Sequence, residues 1–351
     1  MAGKIYFKGL NGIRAIASLI VLFWHTDQFS YLFDINSIGI YENSMANYAV
    51  NMFFVLSGFL ITFLLLVEKE KTGSINLKKF YYRRIYRIWP LYYMAILIAL
   101  ILIYFEVLPN EIDLFKPLFL YLFLLANVAL ILKVSLPGIT PLWSVGVEEQ
   151  YYLIWPLIVK KTSNYLKLFI FLIIFFIFLK IAVFFLFSDS SFVFKFLSVT
   201  RIDLMVMGGV GGFYVYTNHT ILNFIYKKEI QILAFIVLFL SIIWKPIHVS
   251  SFIDSELNSL FYVIIILNVS TNRNTIISFE NKFFNFIGKI SYGIYIYHMF
   301  VIYLYAEIFN SIKLNYIILQ IVILITTILI SYISFNYFEM PFLKLKKKYS
   351  T

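Results

Sequence analysis

Apolar runs of roughly 20 residues, the length a helix needs to cross a bilayer core, recur from one end of this chain to the other. Candidate spans, with soft ends, lie at 10–29, 46–67, 88–105, 165–187, 199–217, 229–244, 252–269, 287–309 and 315–338. Two more apolar segments, 113–132 and 143–159, sit close together between the third and fourth of these. In hydrocarbon every backbone N–H and C=O must find a partner inside the protein, so such a chain folds as a helical bundle. Composition agrees: of 351 residues, 62% are hydrophobic and only 13% charged, where soluble domains carry about a quarter charged residues. The expected fold is an all-α polytopic membrane protein. It is read as one domain over 1–351, with no low-complexity linker, convincing internal repeat or fused soluble domain.

Basic residues decide how the pair 113–132 and 143–159 is counted. If both cross, eleven spans put Lys160, Lys161, Lys167, Lys227, Lys228, Arg273, Lys282, Lys289 and the tail KLKKK outside. If one is re-entrant, ten spans move all of these inside, together with Lys4, Lys8 and the 69–87 cluster. Lys116, Lys133, Lys195, Lys245 and Lys313 then remain outward or membrane-buried. The excess of lysine and arginine in cytoplasmic loops favours ten spans, one re-entrant segment within 110–142, and both termini cytoplasmic. Asn127, Pro137, Gly138 and Pro141 are the candidate helix breakers there. Irregular backbone at that depth must be buried in protein or line a cavity, so a polar chamber is expected nearby. The net charge of +11 thus reads as topology. Without a basic, aromatic-interleaved soluble domain, nucleic-acid binding is excluded as a function class.

The chain has no cysteine, which rules out disulfides, a cysteinyl thioester intermediate and thiolate metal sites. No HExxH or paired-histidine pattern occurs, so no metal is expected. No P-loop or dinucleotide glycine motif is present. Ser57, in FFVLSGFLIT, lacks a GxSxG elbow and is not read as a nucleophile.

Ionisable residues inside spans are costly and are functional candidates by default. Arg14 and His25 in the first run lie eleven positions apart, on one helix face and about 16 Å apart along the axis. If that helix enters from the cytoplasm, a cation stands near the inner surface and a candidate base near the outer one. Such an arrangement suits a long anionic donor threaded between them; snorkelling and an interfacial histidine are the plainer alternative. Arg83, Arg84 and Arg87, in KKFYYRRIYRIWP (78–90), fall within about one turn and fit either phosphates or anionic lipid headgroups. Glu148 and Glu149 are adjacent in PLWSVGVEEQYYLIWPL (141–157). Neighbours point about 100° apart on a helix, so one acid is expected in the chamber and the other in solvent. The chamber acid could orient a histidine base or bind sugar hydroxyls. Arg201 and Asp203 open another span, where internal pairing is the plain reading. Gly208, Gly209, Gly211 and Gly212 read as close-packing positions. By itself His298, in GKISYGIYIYHMF, reads as an interhelical hydrogen bonder, and His219 and His248 fall in loops.

Taken together, GLNGIRAIASLIVLFWH (9–25), FFVLSGFLIT (53–62), RRIYRIWPLYY (83–93), LWSVGVEEQYYLIWPL (142–157), RIDLMVMGG (201–209), IGKISYGIYIYH (287–298) and YFEMP (337–341) resemble the acyltransferase-3 family of integral-membrane acyltransferases. Seven segments in the family's order make a strong signal. Its members mostly O-acylate envelope carbohydrates such as O-antigen, capsule, exopolysaccharide or peptidoglycan. The resemblance implies an acyl-CoA donor, most simply acetyl-CoA, entering from the cytoplasm, and a glycan or lipid-linked glycan acceptor at the outer side. It implies an inner (cytoplasmic) membrane location among lipid partners. His25 matches the family's catalytic histidine and Glu148 its glutamate. Arg14, Arg83, Arg84 and Arg87 match donor-binding positions. Arg201, Asp203, Tyr151, Tyr152 and His298 are expected to shape the chamber and meet the acceptor, the tyrosines by stacking on sugar rings. Trp24 departs from the pattern, standing where tyrosine is more familiar, and the chain ends soon after its last span without the esterase-like domain of some members. A glycan exporter and a scaffold of a glycan-assembly complex are the competing readings. A carrier should keep transport after His25→Ala, and a scaffold should tolerate loss of Arg14 and His25 together.

Overall fold

The computed structural model describes residues 6–39, 45–109, 113–188, 190–243, 249, 253–309 and 315–349, the side chains of Ile243 and Lys347 excepted. The expectations for Lys4, Lys245, His248, Lys313 and the extreme termini fall outside these residues. All regular structure among them is helical. Helices α1 (Leu10–Gln28), α2 (Met45–Thr72) and α3 (Leu77–Tyr104) come first. Two short helices follow, α4 (Phe115–Leu122) and α5 (Ala126–Ile131). Next are α6 (Leu142–Lys161), α7 (Tyr165–Leu186), α8 (Phe192–Thr200), α9 (Ile202–Tyr216) and α10 (Ile221–Ile225). The last are α11 (Lys228–Ile243), α12 (Asp254–Thr271), α13 (Lys282–Ile308) and α14 (Tyr316–Ile333), which runs through a π turn into α15 (Met340–Lys346).

Helix starts are written locally. Asn76, Asn164, Ser191 and Asn281 each accept a hydrogen bond from the backbone N–H three residues on, the N-cap geometry that satisfies one orphan donor. The basic run 78–90 and the apolar run after it form one continuous helix, α3. Among the described residues four helices are long and apolar enough to cross a membrane by themselves: Met45–Thr72, Leu77–Tyr104, Tyr165–Leu186 and the continuous Tyr316–Lys346. Helix α7 has the highest mean hydropathy of these, 3.1, yet exposes Phe171, Ile174, Phe178 and Phe185. A helix with an apolar, uncovered surface is one solvated by lipid, and the protein is a multi-pass membrane protein.

Helix α13 is the bundle's central post, buried almost continuously from Ile287 to Ile302 and packed on α1, α3 and α14. The closest pairing is α2 on α9. A Cβ at Gly58 would collide with the Met205 backbone, and one at Gly208 with that of Val55. The glycine row of α9 is thus a small-residue packing seam, as its composition implied.

The segment between α3 and α6 departs from regular helix. Its break falls at Leu124, whose φ of 61° is left-handed. Asn127, an expected breaker, instead lies inside α5 and exchanges amide hydrogen bonds with Gln150 of α6. Gly138, with φ 73°, and Pro141, the N-cap of α6, do mark the second turn. The carbonyls left over at the end of α4 are individually covered. Tyr92 donates to Tyr121 O at 2.9 Å, Tyr93 to Leu122 O at 3.0 Å and Gln150 to Leu124 O at 3.4 Å. Gly146 permits that approach, since a Cβ there would sit 2.8 Å from Leu124 O. Backbone polar groups that helix geometry abandons are paired by side chains of α3 and α6, as burial away from water requires.

Candidate active site

A cavity of about 240 Å³ opens between α1, α2, α3, α6 and α13. Arg14, Arg84, Arg87 and Lys346 line it, with Glu148 the one carboxylate among its described walls. Four cations against one acid leave a formal excess of three positive charges. Arg84 is held by aromatic faces, its guanidinium 5.6 Å from the Phe80 ring and 5.4 Å from the Tyr152 ring. Its Nε is buried without a hydrogen-bond partner among the described residues. Arg87 is exposed, as a residue at an opening would be. Among the described residues the Arg14 side chain makes one hydrogen bond, a long one to Asn11 Oδ1, 3.4 Å. These guanidinium groups hold donors in reserve, which is the condition for receiving an anionic ligand.

Arg83 does not join them. It is spent on an ion pair with Glu68 at 2.6 Å and on Tyr349 O at 2.9 Å. The arginine cluster divides because residues 84 and 87 face the cavity while 83 turns toward α2. Lys346 is the residue that sequence reasoning missed, being taken as one of a run of tail charges. The tail reaches the cavity because Tyr349 stacks on Tyr82, with ring centroids 4.7 Å apart.

Glu148 accepts from Ser57 Oγ at 2.8 Å and from Tyr152 OH at 2.9 Å. No hydrogen bond joins it to His25, so it does not set that ring's tautomer. Glu149 is not in solvent. It turns to α3 and accepts from Trp89 Nε1 at 2.8 Å, because 100° of rotation from the cavity at this depth leads into a neighbouring helix. Tyr151 is buried and stacked on Trp155, centroids 5.1 Å apart. Tyr152 is buried beneath Arg84. Tyr152 is part of the cavity wall, whereas Tyr151 is not among its lining residues and is core packing. Ser57, dismissed as a nucleophile, is a wall residue that fixes Glu148.

His25 stands at the far end of α1, half-buried, with its Nδ1 3.0 Å from Val21 O and 3.2 Å from His298 Nε2. His298 is fully buried on α13, its Nδ1 3.1 Å from Ile294 O. It lies behind His25, away from the cavity walls. The cavity holds Arg14 but stops short of His25. Tyr295 closes that end, its hydroxyl 2.8 Å from Ser144 Oγ and 3.0 Å from Pro141 O. Its ring centroid is 6.1 Å from that of His298. The cavity that holds Arg14 therefore does not itself reach His25. Asp27, unnoticed in the sequence, is buried and accepts from Ser37, Ile38 and Tyr316, fastening the segment after α1 to α14.

Arg201 and Asp203 are not paired with each other among the described residues. Arg201 donates to Asn51 Oδ1 at 2.6 Å and Ser198 O at 2.8 Å. Asp203 pairs with Lys180 at 2.6 Å, and Lys180 also meets Glu256 at 2.9 Å. Lys180 could have been found, since a lysine inside the apolar run 165–187 demands an acid partner. Arg201, Lys180, Ser198 and Ser255 border a second cavity of about 160 Å³. His219 sits in a turn and accepts from Ile221 N. Among the described residues no three His, Asp or Glu side chains gather where a metal could bind.

The family model described as an acyltransferase domain matches residues 7–335. The chain belongs to the acyltransferase-3 family, and what its fold presents is that family's acyltransferase domain. A peptidoglycan O-acetyltransferase, OatA, of Listeria monocytogenes is 36% identical over 159 residues, 43% of this chain and 24% of that protein. A Staphylococcus aureus (strain COL) protein, provisionally named an O-acetyltransferase, is 28% identical over 327 residues, 85% of this chain and 51% of its own. An O-acetyltransferase OatA of Staphylococcus aureus (strain NCTC 8325) is 27% identical over 221 residues, 59% of this chain and 34% of its own. The chain spans about half or less of the length of these relatives. No solved structure matches.

Proposed function

We propose that the protein is a membrane-embedded O-acetyltransferase that takes an acetyl group from acetyl-CoA on the cytoplasmic side and places it on a hydroxyl of an envelope glycan at the outer side. The observation that carries this reading is the cavity in which Arg14, Arg84, Arg87 and Lys346 face a single carboxylate, with His25 on the same face of the same helix as Arg14. The donor's phosphates bind those cations, and the pantetheine arm runs beside α1 past Tyr295 to the histidine. The acceptor oxygen attacks the thioester carbonyl and its proton passes to His25 Nε2. The C–S bond breaks, and the leaving thiolate takes the proton back from the imidazolium, leaving ester and free CoA. A route through an acyl-imidazole uses the same nitrogen as nucleophile. Glu148 balances the cationic wall. Lys180 and Arg201, which border the second cavity, are read as facing the acceptor, and Asp203 and Glu256 neutralise Lys180 by pairing with it.

The names of the Listeria and Staphylococcus relatives support acetyl as the group, and the Listeria name, a peptidoglycan O-acetyltransferase, supports an envelope polymer as the acceptor. Mass spectrometry of envelope glycans from cells with and without the protein tests this. The expected result is an acetyl mass increment that requires the protein; identical glycan masses from both cells would sink the reading.

The reading includes ten spans in an inner membrane, one re-entrant segment and cytoplasmic termini. Among the described residues, the ten helices of 15 residues or more, α1, α2, α3, α6, α7, α9, α11, α12, α13 and α14, support it, as does the division of 113–132 into α4 and α5. Because the chain has no cysteine, single cysteines report sidedness directly. Ser74→Cys and Ser163→Cys should resist a membrane-impermeant thiol reagent in intact cells, and Ser190→Cys should react. Eleven spans would reverse the last two.

A further inference from the structure

His298 is not among the residues lining the Arg14 cavity and has no carboxylate partner among the described residues, yet it is fully buried with both ring nitrogens engaged. The two hydrogen bonds leave one consistent placement of protons. Ile294 O, 3.1 Å from His298 Nδ1, can only accept, so that nitrogen carries the hydrogen. In the neutral ring Nε2 is then a lone-pair acceptor. It faces His25 Nδ1 at 3.2 Å. His25 Nδ1 also faces Val21 O at 3.0 Å, which again can only accept. His25 Nδ1 must therefore be the donor, shared between Val21 O and His298 Nε2. The lone pair of His25 is left on Nε2, the atom that no described side chain engages.

We propose that His298 is a positioning residue that locks His25 in the Nδ1–H tautomer and holds its Nε2 free as the proton acceptor. This rests on the reading of His25 as the base. His298 takes the place that a carboxylate occupies behind the histidine of a hydrolase triad, where the wrong tautomer alone costs about 10⁴-fold in kcat. A neutral imidazole does the same work without a second buried charge, which in a bilayer is the costly element. When His25 takes a proton, its Nδ1–H bond to the His298 lone pair becomes charge-assisted and shortens. The Val21 carbonyl alone could not hold the ring, because a bond to the preceding turn leaves it free to swing off that single anchor. His298, fixed on α13, supplies the second point.

The arrangement is tested with the full chain in lipid nanodiscs, assayed with acetyl-CoA and the acceptor glycan. His298→Leu removes the acceptor and is expected to lower kcat by about 10²-fold or more, with the donor KM little changed. His298→Gln offers an amide oxygen to His25 Nδ1 and is expected to recover most of that loss. A His298→Leu protein that keeps wild-type kcat overturns the proposal, as does a His298→Gln protein no better than His298→Leu. A second measurement needs no folded variant at this position. The ¹⁵N resonances of labelled histidine in the wild-type chain, with His25 assigned by difference from His25→Asn, should show His25 protonated at Nδ1. Protonation at Nε2 overturns the proposal. If His25→Ala itself keeps full activity, the reading of His25 has failed and not merely that of its partner.

Discussion

Replacing His25 by alanine should lower the rate of acetyl transfer by about 10²–10⁴-fold, the range that general acid–base groups contribute. Binding of the donor should survive. Arg14, the cationic residue on the same helix, is eleven residues away, about 16 Å at the rise of an α-helix, and the cavity it lines does not include His25. A group that acts only on the reacting atoms lowers kcat and kcat/KM together and leaves KM nearly unchanged. The measurement is initial rate against acetyl-CoA concentration with purified protein, alongside direct binding of CoA. A variant that binds CoA and keeps its turnover would mean that the histidine is structural and the base lies elsewhere. A variant that loses CoA binding would mean that α1 had been disturbed along its whole length.

What could be read in the sequence, and what could not, follows from the range of each interaction. Arg14 and His25 were legible because one helix fixes their relation and because charge inside an apolar run has a known cost. The close packing at the α9 glycines was legible for a similar reason, since a missing side chain in a helix announces a near neighbour. The partner of His25 was not. His298 lies 273 positions away, and nothing in either segment specifies that their rings meet. The Arg201–Asp203 pair was misread because adjacency in sequence was taken for contact. Asp203 points at Lys180 on α7, a residue that only the bundle brings near. The break at Leu124 carried no glycine or proline. It is held by Tyr92, Tyr93 and Gln150 from two other helices, so the cause of the irregularity lies outside the irregular segment.

The second large effect is expected at the cationic wall. Arg87→Gln should raise the acetyl-CoA KM by about 10–100-fold, since a hydrogen bond to a charged group contributes about 1.5–3 kcal/mol. Arg87 is the cleanest probe, being exposed and free of the aromatic packing that holds Arg84 between Phe80 and Tyr152. Lys346→Gln should act in the same direction and more weakly, because an ammonium meets phosphate as a point charge and a guanidinium as a fork. Arg83→Gln is the internal control. Its partner is Glu68, 2.6 Å away, so its loss should destabilise the junction of α2 with α3 and leave the donor KM near wild type. Dephospho-CoA identifies which phosphate each cation meets. A residue that binds the 3′-phosphate should discriminate against dephospho-CoA in the wild type and cease to do so once substituted, the non-additivity that marks a direct contact. If KM is indifferent to Arg14, Arg84 and Arg87 alike, the cavity holds an anionic lipid headgroup instead. The donor must then reach His25 by another path, one that does not pass Arg14, Arg84 and Arg87.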